Sequence, residues 1–323
     1  MIALFAVQFA LPMVLIGGLA LVPARTRVGF WIQFIACAAV LWAMALLGIW
    51  LLPPWWAPPA FGVALLLAAW RGRGRGRRRR QPFVASMPVT WSAWLVAGLF
   101  VVSGVVSAGG IALALRSRNL PPASAVTLAF PLERGVYLIV NGGSHITTNA
   151  HLMTLDAGTP RFREWRGQSY GVDIVKLDAF GLRARGVLPA DPKAYAIYGA
   201  RVLAPCAGQV LLAVDGLPDM QVPEVDRAHL AGNHVMLRCV DPDTHADVLL
   251  GHLRPGSVKV RAGASVAAGD WLGSAGNSGN TGEPHLHLHA QRPGPVGAPL
   301  GGDPLPVLFG GHFPVRGDRV DVP

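Results

Sequence analysis

The residues best suited to chemistry lie in one short stretch, Gly276–Ala290, with the sequence GNSGNTGEPHLHLHA. A turn rich in Gly and Asn leads through Pro284 into a segment in which histidines alternate with leucines. Because side chains two residues apart lie on one face of a β-strand, this alternation predicts a strand with His285, His287 and His289 on one face and two leucines facing a core. Imidazoles held by a rigid strand suit a metal ion. The alternative is a solvated histidine face.

This stretch resembles the closing motif of the LytM-type zinc metallopeptidases of peptidase family M23, which reads roughly GxSGxSTGPHLHFE. The shared parts are the GNSG turn, the Thr-Gly pair and Pro-His-Leu-His. Glu283 is an extra residue before Pro284, and His289 stands where the family often has Glu. The resemblance covers about residues 125–310 and implies a Zn²⁺ cofactor. It also implies hydrolysis of peptidoglycan peptides.

The resemblance assigns roles to four residues. In LytM-type enzymes a His-x-x-x-Asp motif supplies two zinc ligands, and the second His of His-x-His supplies the third. This implies that Asp173 and His287 are ligands and that His285 is catalytic. The Gly-His-Leu sequence around His252 is similar to the family segment that carries the other catalytic histidine.

One ligand position departs from the family pattern, because Ser169 stands four residues before Asp173 where the family has His. Serine is neutral near pH 7 and is a weaker zinc ligand than imidazole. Either the site is degenerate, or another histidine fills the gap. His151, and less favourably His145, lies in a loop-like segment after a predicted strand. We predict His151, Asp173 and His287 as the ligands, because the rest of the constellation is intact.

Charge is distributed unevenly along the 323 residues. The formal net charge is +10, but residues 1–120 hold 11 Arg, no Lys and no acidic residue, while the rest holds 17 Lys and Arg against 18 Asp and Glu. The positive charge therefore belongs to the loops of a membrane region and does not indicate nucleic-acid binding. Eight of the ten Trp also lie in residues 1–120, as is typical of rings at a membrane interface.

Four apolar runs predict about four transmembrane helices within residues 1–117. They are Ile2–Leu21, Gly29–Leu52, Pro59–Trp70 and Val89–Leu115, of which the third is short and flanked by prolines. The arginine-rich loop at residues 71–82 and the loop that contains Arg25 and Arg27 are both expected to face the cytoplasm. Both can do so only if the third run crosses the bilayer, with the uncharged loop Pro53–Pro59 outside. The N-terminus and residues 118–323 would then lie outside, on a multi-pass protein of the bacterial inner membrane. Attraction of Arg71–Arg80 to membrane lipids or nucleic acid is the alternative reading.

After a linker at residues 118–124, residues 125–323 predict an all-β domain with M23-like character. Short segments rich in β-branched and apolar residues are separated by Gly, Pro and Asp clusters. Asp241–Thr244 predicts a turn that makes a hairpin of Asn233–His252. Outside the cytoplasm, Cys206 and Cys239 are expected to form a disulfide. The predicted strands are Val136–Val140, Gly171–Leu177, Ala194–Tyr198, Gln209–Val214, Asn233–Val240, Ala246–His252 and His285–Gln291.

Three functions fit these features. The first is a membrane-anchored zinc endopeptidase that cleaves peptidoglycan peptides; the wall substrate comes from the resemblance alone. The second is a non-catalytic LytM-like module that binds the wall or regulates a partner hydrolase, which Ser169 favours. The third is a sensor or assembly protein whose work lies in the spans, although no ionisable residue inside them supports a transport pathway.

Overall fold

The computed structural model describes residues 2–24, 26–77, 91–240 and 245–323. They fall into two compact units, Met1–Leu115 and Arg116–Pro323. Arg25, Arg78–Arg80 and the predicted turn Asp241–Thr244 lie outside the described residues.

The first unit is helical, with α1 (Ile2–Leu21), α2 (Arg27–Leu47), α3 (Ala57–Arg77) and α4 (Trp91–Arg116). The Thr26 hydroxyl starts α2 by accepting from the Gly29 N–H at 3.0 Å. Leu19, Phe30 and Leu65 are buried in a small core that α1, α2 and α3 share.

Two helices of this unit are long and apolar enough to cross a membrane, by length and composition alone. They are Arg27–Leu47 and Trp94–Arg116, and Val7–Leu21 is a shorter apolar helix. Large side chains of α4 such as Leu99, Val102 and Val105 are exposed, and an apolar surface of this kind is typical of contact with lipid or protein. The structure thus supports two of the about four predicted spans. The third run, Pro59–Trp70, lies inside α3, which continues into the arginine-rich segment.

The second unit is built on a large antiparallel sheet. Its strand order is β13-β2-β3-β10-β7-β6-β5-β8, with β11 also paired to β10. A parallel pair, β1 with β12, and an antiparallel pair, β4 with β9, complete the described strands. The strands are β1 (Val126–Leu128), β2 (Gly135–Asn141), β3 (Val172–Leu177), β4 (Arg201–Leu203), β5 (Gly208–Val214), β6 (Asn233–Cys239), β7 (Asp247–Leu253), β8 (Ser265–Val266), β9 (Trp271–Ser274), β10 (Leu286–Gln291), β11 (Pro304–Leu305), β12 (Val307–Phe309) and β13 (Arg319–Val322).

The β-rich fold class is confirmed, with one strand predicted wrongly. Ala194–Tyr198 is not a strand: a 3₁₀ turn at Pro192–Ala194 precedes it, and Tyr195 makes only an isolated bridge to Ala184. Asp191 accepts from the Lys193 N–H at 2.9 Å and proline fixes the next backbone angle, so this local capping overrides the apolar pattern. The predicted hairpin exists as the antiparallel pair β6 and β7. The segment between β2 and β3 also contains a 3₁₀ helix at Ala150–Leu155 and a short helix α5 (Pro160–Arg163), neither of which the sequence predicted.

The core of this unit lies against one face of the sheet. Ile174, Leu286 and Leu288 are buried there with aliphatic residues from most of the other strands. The predicted disulfide between Cys206 and Cys239 is present, with both residues buried. It joins the start of β5 to the end of β6 beside the core and leaves the other sheet face available for polar groups.

Candidate metal centre

Strand register brings the polar residues of three strands into one row. Asn141 at the end of β2 pairs with Asp173 of β3, and Asp173 pairs with His287 of β10. Directly paired residues of antiparallel strands project to the same face. The row therefore places an amide, a carboxylate and an imidazole side by side, opposite the face that buries Leu286 and Ile174.

His151 completes a group of three possible metal ligands. Its Nε2 lies 2.9 Å from Asp173 Oδ2, and His287 Nδ1 lies 2.8 Å from Asp173 Oδ1. The ligand atoms of all three residues lie within 4.8 Å of one another. Two imidazole nitrogens and one carboxylate oxygen are a set of donors that suits Zn²⁺, with a further position left for water.

A 3₁₀ helix, and not a loop as the sequence suggested, carries His151. The Asn149 side chain caps this helix by accepting from the His151 N–H at 3.1 Å. The same side chain donates to the carbonyls of Gly143 and Gly171 at 3.2 and 3.1 Å. His151 is therefore held by a buried side chain that is anchored on both sides of the site.

Gly171 allows the two histidine rings to approach. A Cβ at this position would lie 2.8 Å from Cε1 of His287 and 3.2 Å from Cδ2 of His151. The ring centroids of these histidines are 4.8 Å apart. Any larger residue at Gly171 would push at least one of the two rings away from Asp173.

Ser169 and His145 lie outside the group. The Ser169 hydroxyl donates to the Arg166 carbonyl at 2.6 Å and lies 2.8 Å from the Thr154 hydroxyl. His145 instead contacts Thr147, with its Nδ1 3.0 Å from the threonine hydroxyl. Of the two candidate histidines that the sequence offered, the structure brings only His151 to Asp173.

His252 and His285 lie beside the group, and in both rings Nδ1 faces a backbone carbonyl. Nδ1 of His252 lies 2.9 Å from the Ser278 carbonyl, and Nδ1 of His285 lies 2.9 Å from the Glu283 carbonyl. A carbonyl oxygen only accepts, so Nδ1 carries the proton in both rings and Nε2 keeps its lone pair. Nε2 of His285 lies 3.6 Å from Asp173 Oδ1. The ring centroids of His252 and His285 are 4.8 Å apart.

The backbone around these two histidines differs from the sequence expectation in two ways. His285 directly precedes β10 and does not belong to it. His252, near the end of β7, has φ of 61° and is the one described residue other than glycine with a positive φ. Such a conformation is costly for a side-chain-bearing residue and is held only where the surroundings enforce it. Here it accompanies the Nδ1 hydrogen bond that orients the ring.

Burial and neighbouring charges set the protonation of the site. Burial acts to raise the pKa of Asp173, but His151 and His285 outweigh it and hold this pKa well below its usual range. Burial lowers the pKa of His287, and burial together with His285 and His287 holds the pKa of His252 well below the usual value. Asp173 in turn raises the pKa of His151 against the effect of burial. An ionised carboxylate and a neutral His287 are in the state that binds a metal ion, whereas a protonated His151 would release its proton on binding.

The remaining histidines divide between interior and surface. His289 is fully buried, with Nδ1 3.0 Å from Nε2 of His287, so it supports a candidate ligand from behind. His234 is buried and bonds the Gly232 carbonyl at 2.8 Å, away from the three-residue group. His245 and His312 are exposed, and His229 lies on the surface with its Nδ1 2.7 Å from Asp226 Oδ2.

Sequence reasoning missed Asn141 and Arg316. Asn141 Nδ2 donates to Asp173 Oδ2 at 2.8 Å, and Arg316 Nη2 donates to Asn141 Oδ1 at 2.9 Å. The one available signal for Asn141 was that it is the polar residue directly after the predicted strand Val136–Val140. Nothing local distinguishes Arg316.

A cleft of about 260 Å³ opens over the group. Apolar side chains, among them Met153, Trp165 and Leu230, form part of its lining. Among the lining residues Asp173 is the sole carboxylate, and none is Lys or Arg. The acidic segment Asp215–Asp226 does not contribute to this lining. Apart from Asp173 and the histidines, the cleft therefore presents no ionisable side chain to a ligand.

Part of the β-rich unit matches a known family model. Residues 193–299 match the family model of peptidase family M23. The matched region contains β4 to β10, with His252, His285 and His287. His151, Asp173 and the helical unit precede the matched region and are not part of it. No curated protein matches the chain.

Several solved structures are similar to parts of the chain. One is the catalytic domain of the antimicrobial peptidase lysostaphin from Staphylococcus simulans, at 21% identity over 40% of this chain and 71% of that one, with a TM-score of 0.26. A putative peptidase M23 from Pseudomonas aeruginosa is 17% identical over 58% and 54%, with a TM-score of 0.26. A zinc containing peptidase from Vibrio cholerae is 19% identical over 37% and 46%, with a TM-score of 0.22. The chain thus spans about half the length of the last two proteins.

Proposed function

We propose that this chain is a membrane-anchored zinc metalloendopeptidase that hydrolyses peptide cross-links of peptidoglycan. The observation that carries the proposal is the convergence of His151, Asp173 and His287 beside His252 and His285. Three of these five histidine and aspartate residues lie inside the region that matches the M23 family. The choice of peptidoglycan peptides rests on that family match.

His151, Asp173 and His287 would hold the zinc ion. When bound, zinc lowers the pKa of a water molecule and polarises the scissile carbonyl. The donor set fits this ion, because all three donor atoms face one another and Asp173 is kept ionised by its neighbours. His289, 3.0 Å from His287 Nε2, holds the ring of His287 in the orientation that turns Nδ1 toward the centre.

His252 and His285 supply the proton transfers of the reaction. Each ring donates its Nδ1 proton to a backbone carbonyl, so Nε2 is free to accept a proton from the attacking water. The Nε2–H formed in this way then donates to the oxygen anion of the intermediate or to the leaving nitrogen. The low pKa of His252 keeps this ring neutral in the resting protein, so that Nε2 retains its lone pair.

The zinc content of the purified full-length protein, measured under metal-replete conditions, tests the ligand set. His151→Ala removes one of three strong ligands and should abolish zinc binding. Ser169→Ala is the matched control, since Ser169 is as close in sequence to Asp173 as the family's ligand but bonds Arg166 and Thr154 instead. Equal zinc content in His151→Ala and unmutated protein would show that His151 is not a ligand.

The second candidate function is a non-catalytic LytM-like module that binds the cell wall or regulates a partner hydrolase. The observation that favours it is Ser169 at the position where the family pattern has a zinc-binding histidine. An unmutated protein that binds no zinc under metal-replete conditions, and that sediments with purified peptidoglycan, would favour this function over the peptidase.

A further inference from the structure

A chain of polar contacts runs from the C-terminal segment to Asp173. Arg316 Nη2 donates to Asn141 Oδ1 at 2.9 Å, and Asn141 Nδ2 donates to Asp173 Oδ2 at 2.8 Å. Oδ2 is the oxygen that also faces Nε2 of His151. Asn141 and Arg316 both lie outside residues 193–299, the region that matches the M23 family.

The same guanidinium joins β2, the strand next to that of Asp173, to the segment that leads into the His151 helix. Its Nε donates to the Val140 carbonyl and its Nη1 to the Thr147 carbonyl, each at 2.9 Å. Val140 lies in β2 beside Asp173's strand, and Thr147 lies just before the 3₁₀ helix of His151. Asn141 Oδ1 also accepts from the Ala150 N–H at 3.4 Å. One side chain therefore ties β2 to the start of the His151 helix.

The chemistry of arginine decides which way the Asn141 amide points. A guanidinium has five donors and no acceptor, so it can bind the oxygen of the amide but not its nitrogen. With Oδ1 turned to Arg316, Nδ2 must face the Asp173 carboxylate, which only accepts. A flipped amide would place two donors together at Arg316 and two acceptors together at Asp173. Burial lowers the pKa of Arg316 to about 10, so its charge persists at neutral pH.

We infer that Asn141 and Arg316 are positioning residues of the candidate metal centre. Arg316 orients the Asn141 amide, and this amide fixes the Asp173 oxygen against His151. The inference rests on the proposed function, because it assigns a role toward the zinc ion. Through Arg316, the C-terminal segment Pro314–Val322 would then contribute to the geometry of the candidate metal centre.

Zinc affinity of the full-length protein, measured by competition with a chromophoric chelator, is the deciding quantity. Asn141→Leu and Arg316→Met should each weaken zinc binding about 10- to 100-fold, the usual effect of losing a partner of a ligand. Because the two residues act in series, the double variant should bind zinc more tightly than the product of the single effects predicts.

Arg118→Met is the matched control. Arg118 pairs with Asp318 at 2.5 Å and so anchors the same C-terminal segment without contacting Asn141 or Asp173. This variant should keep zinc affinity within about twofold, even where its melting temperature falls as far as that of Arg316→Met. Equal weakening of zinc binding by Arg118→Met would overturn the inference, because general loosening of the segment would then explain all the variants.

Two other results separate this inference from the proposed function. Unmutated protein that binds zinc tightly, together with unchanged affinity in Asn141→Leu and Arg316→Met, overturns the inference and leaves the peptidase proposal standing. Unmutated protein without zinc overturns the peptidase proposal itself, and the positioning role with it.

Discussion

At the scale of single residues, the proposal gives His252 and His285 a role different from that of the three candidate metal ligands. His252 and His285 are each fixed by a backbone carbonyl at Nδ1, and neither belongs to the group of three ligands. We expect His252→Ala and His285→Ala to retain zinc and to lose hydrolysis of peptidoglycan peptides by about 10²- to 10⁴-fold in rate. Zinc content and turnover are measured on the same preparations.

His234→Ala is the control for this pair. It removes another buried imidazole, one that bonds only the Gly232 carbonyl in the described contacts and does not face the cleft. It should lower stability but leave both zinc content and the rate constant unchanged. An empty metal site in either His252→Ala or His285→Ala would show that the division of roles is wrong.

Buried imidazoles also predict how stability depends on pH. Burial lowers the pKa of His234, His252, His287 and His289 below the usual value of about 6.5. Below that pH the unfolded chain binds protons that the folded domain does not, so the free energy of unfolding falls as the pH drops. The raised pKa of His151 acts in the opposite direction and stabilises the folded domain at low pH. Four histidines with lowered pKa values outnumber this single group.

The measurement is the urea midpoint of zinc-free protein at several pH values between about 8 and 5, a range that spans the ordinary histidine pKa. The midpoint should fall as the solution becomes more acidic. His234→Gln should reduce the steepness of this fall, because it removes one buried titrating ring that is separate from the zinc ligands. A midpoint that rises toward pH 5 would contradict the prediction.

Motif reasoning at this scale reaches some site residues and not others. Asp173, His252, His285 and His287 are recognisable because their types and spacing are local in the sequence. His151 follows from counting ligands: Ser169 leaves the set one short, and a nearby histidine fills it. Asn141 and Arg316 are 175 residues apart, and their contact depends on strand register and on β13 returning to β2, which no local pattern encodes.

At the scale of elements, a buried ion pair holds the turn that carries His285. Arg183 Nε lies 3.2 and 3.0 Å from the two carboxylate oxygens of Glu283, and both side chains are buried. The Glu283 carbonyl in turn accepts from His285 Nδ1 and from the Thr281 hydroxyl. Glu283, which this chain has in addition to the residues of the family motif, thus anchors the turn.

We expect Arg183→Met to misplace His285. Loss of one partner of a buried pair typically costs about 3–5 kcal/mol, and burial already raises the pKa of Glu283 despite the charge of Arg183. The rate constant of hydrolysis should fall at least about tenfold, since proton transfer depends on a positioned ring. Zinc content should not change, because His285 is not a ligand.

Arg238→Met provides the comparison for this element. It breaks the pair with buried Asp247, in which Arg238 Nε and Nη2 lie 2.8 and 2.9 Å from the carboxylate oxygens, at the opposite end of β7 from His252. It should reduce the melting temperature without reducing the rate constant. Equal rate losses in the two variants, at equal loss of stability, would refute a specific role for the Arg183–Glu283 pair.

Element prediction succeeded where strands are long and failed where capping or tertiary pairing decides. Alternation and β-branched content locate β2, β3, β5, β6, β7 and β10 to within about two residues. Ala194–Tyr198 has the same composition but follows an Asp-Pro cap. Strands of two to four residues, such as β4 and β9, form because a partner strand is adjacent, so their own sequences hold little signal.

At the scale of the whole molecule, charge separates two regions with different surroundings. The described helices of the first unit expose apolar side chains, and two of them have the length and hydropathy of a membrane span. The second unit is nearly neutral and carries a disulfide, which is usual for proteins outside the cytoplasm. These features fit the predicted membrane anchor, and the side of the membrane on which the domain lies is the subject of the next prediction.

Topology gives the last prediction. Arg71, Arg73, Arg75 and Arg77–Arg80 directly precede the span that leads to the β-rich domain. A dense basic loop stays on the cytoplasmic side, so α4 should run outward and place residues 118–323 in the periplasm or outside the cell. Alkaline phosphatase, which folds only outside the cytoplasm, should be active when fused after Pro323 and inactive when fused after Arg80. Replacing the seven arginines with serine should weaken this preference, because the charge sets the orientation. Activity of a reporter confined to the cytoplasm after Pro323 would reverse the topology, and it would separate the domain from any cell-wall substrate.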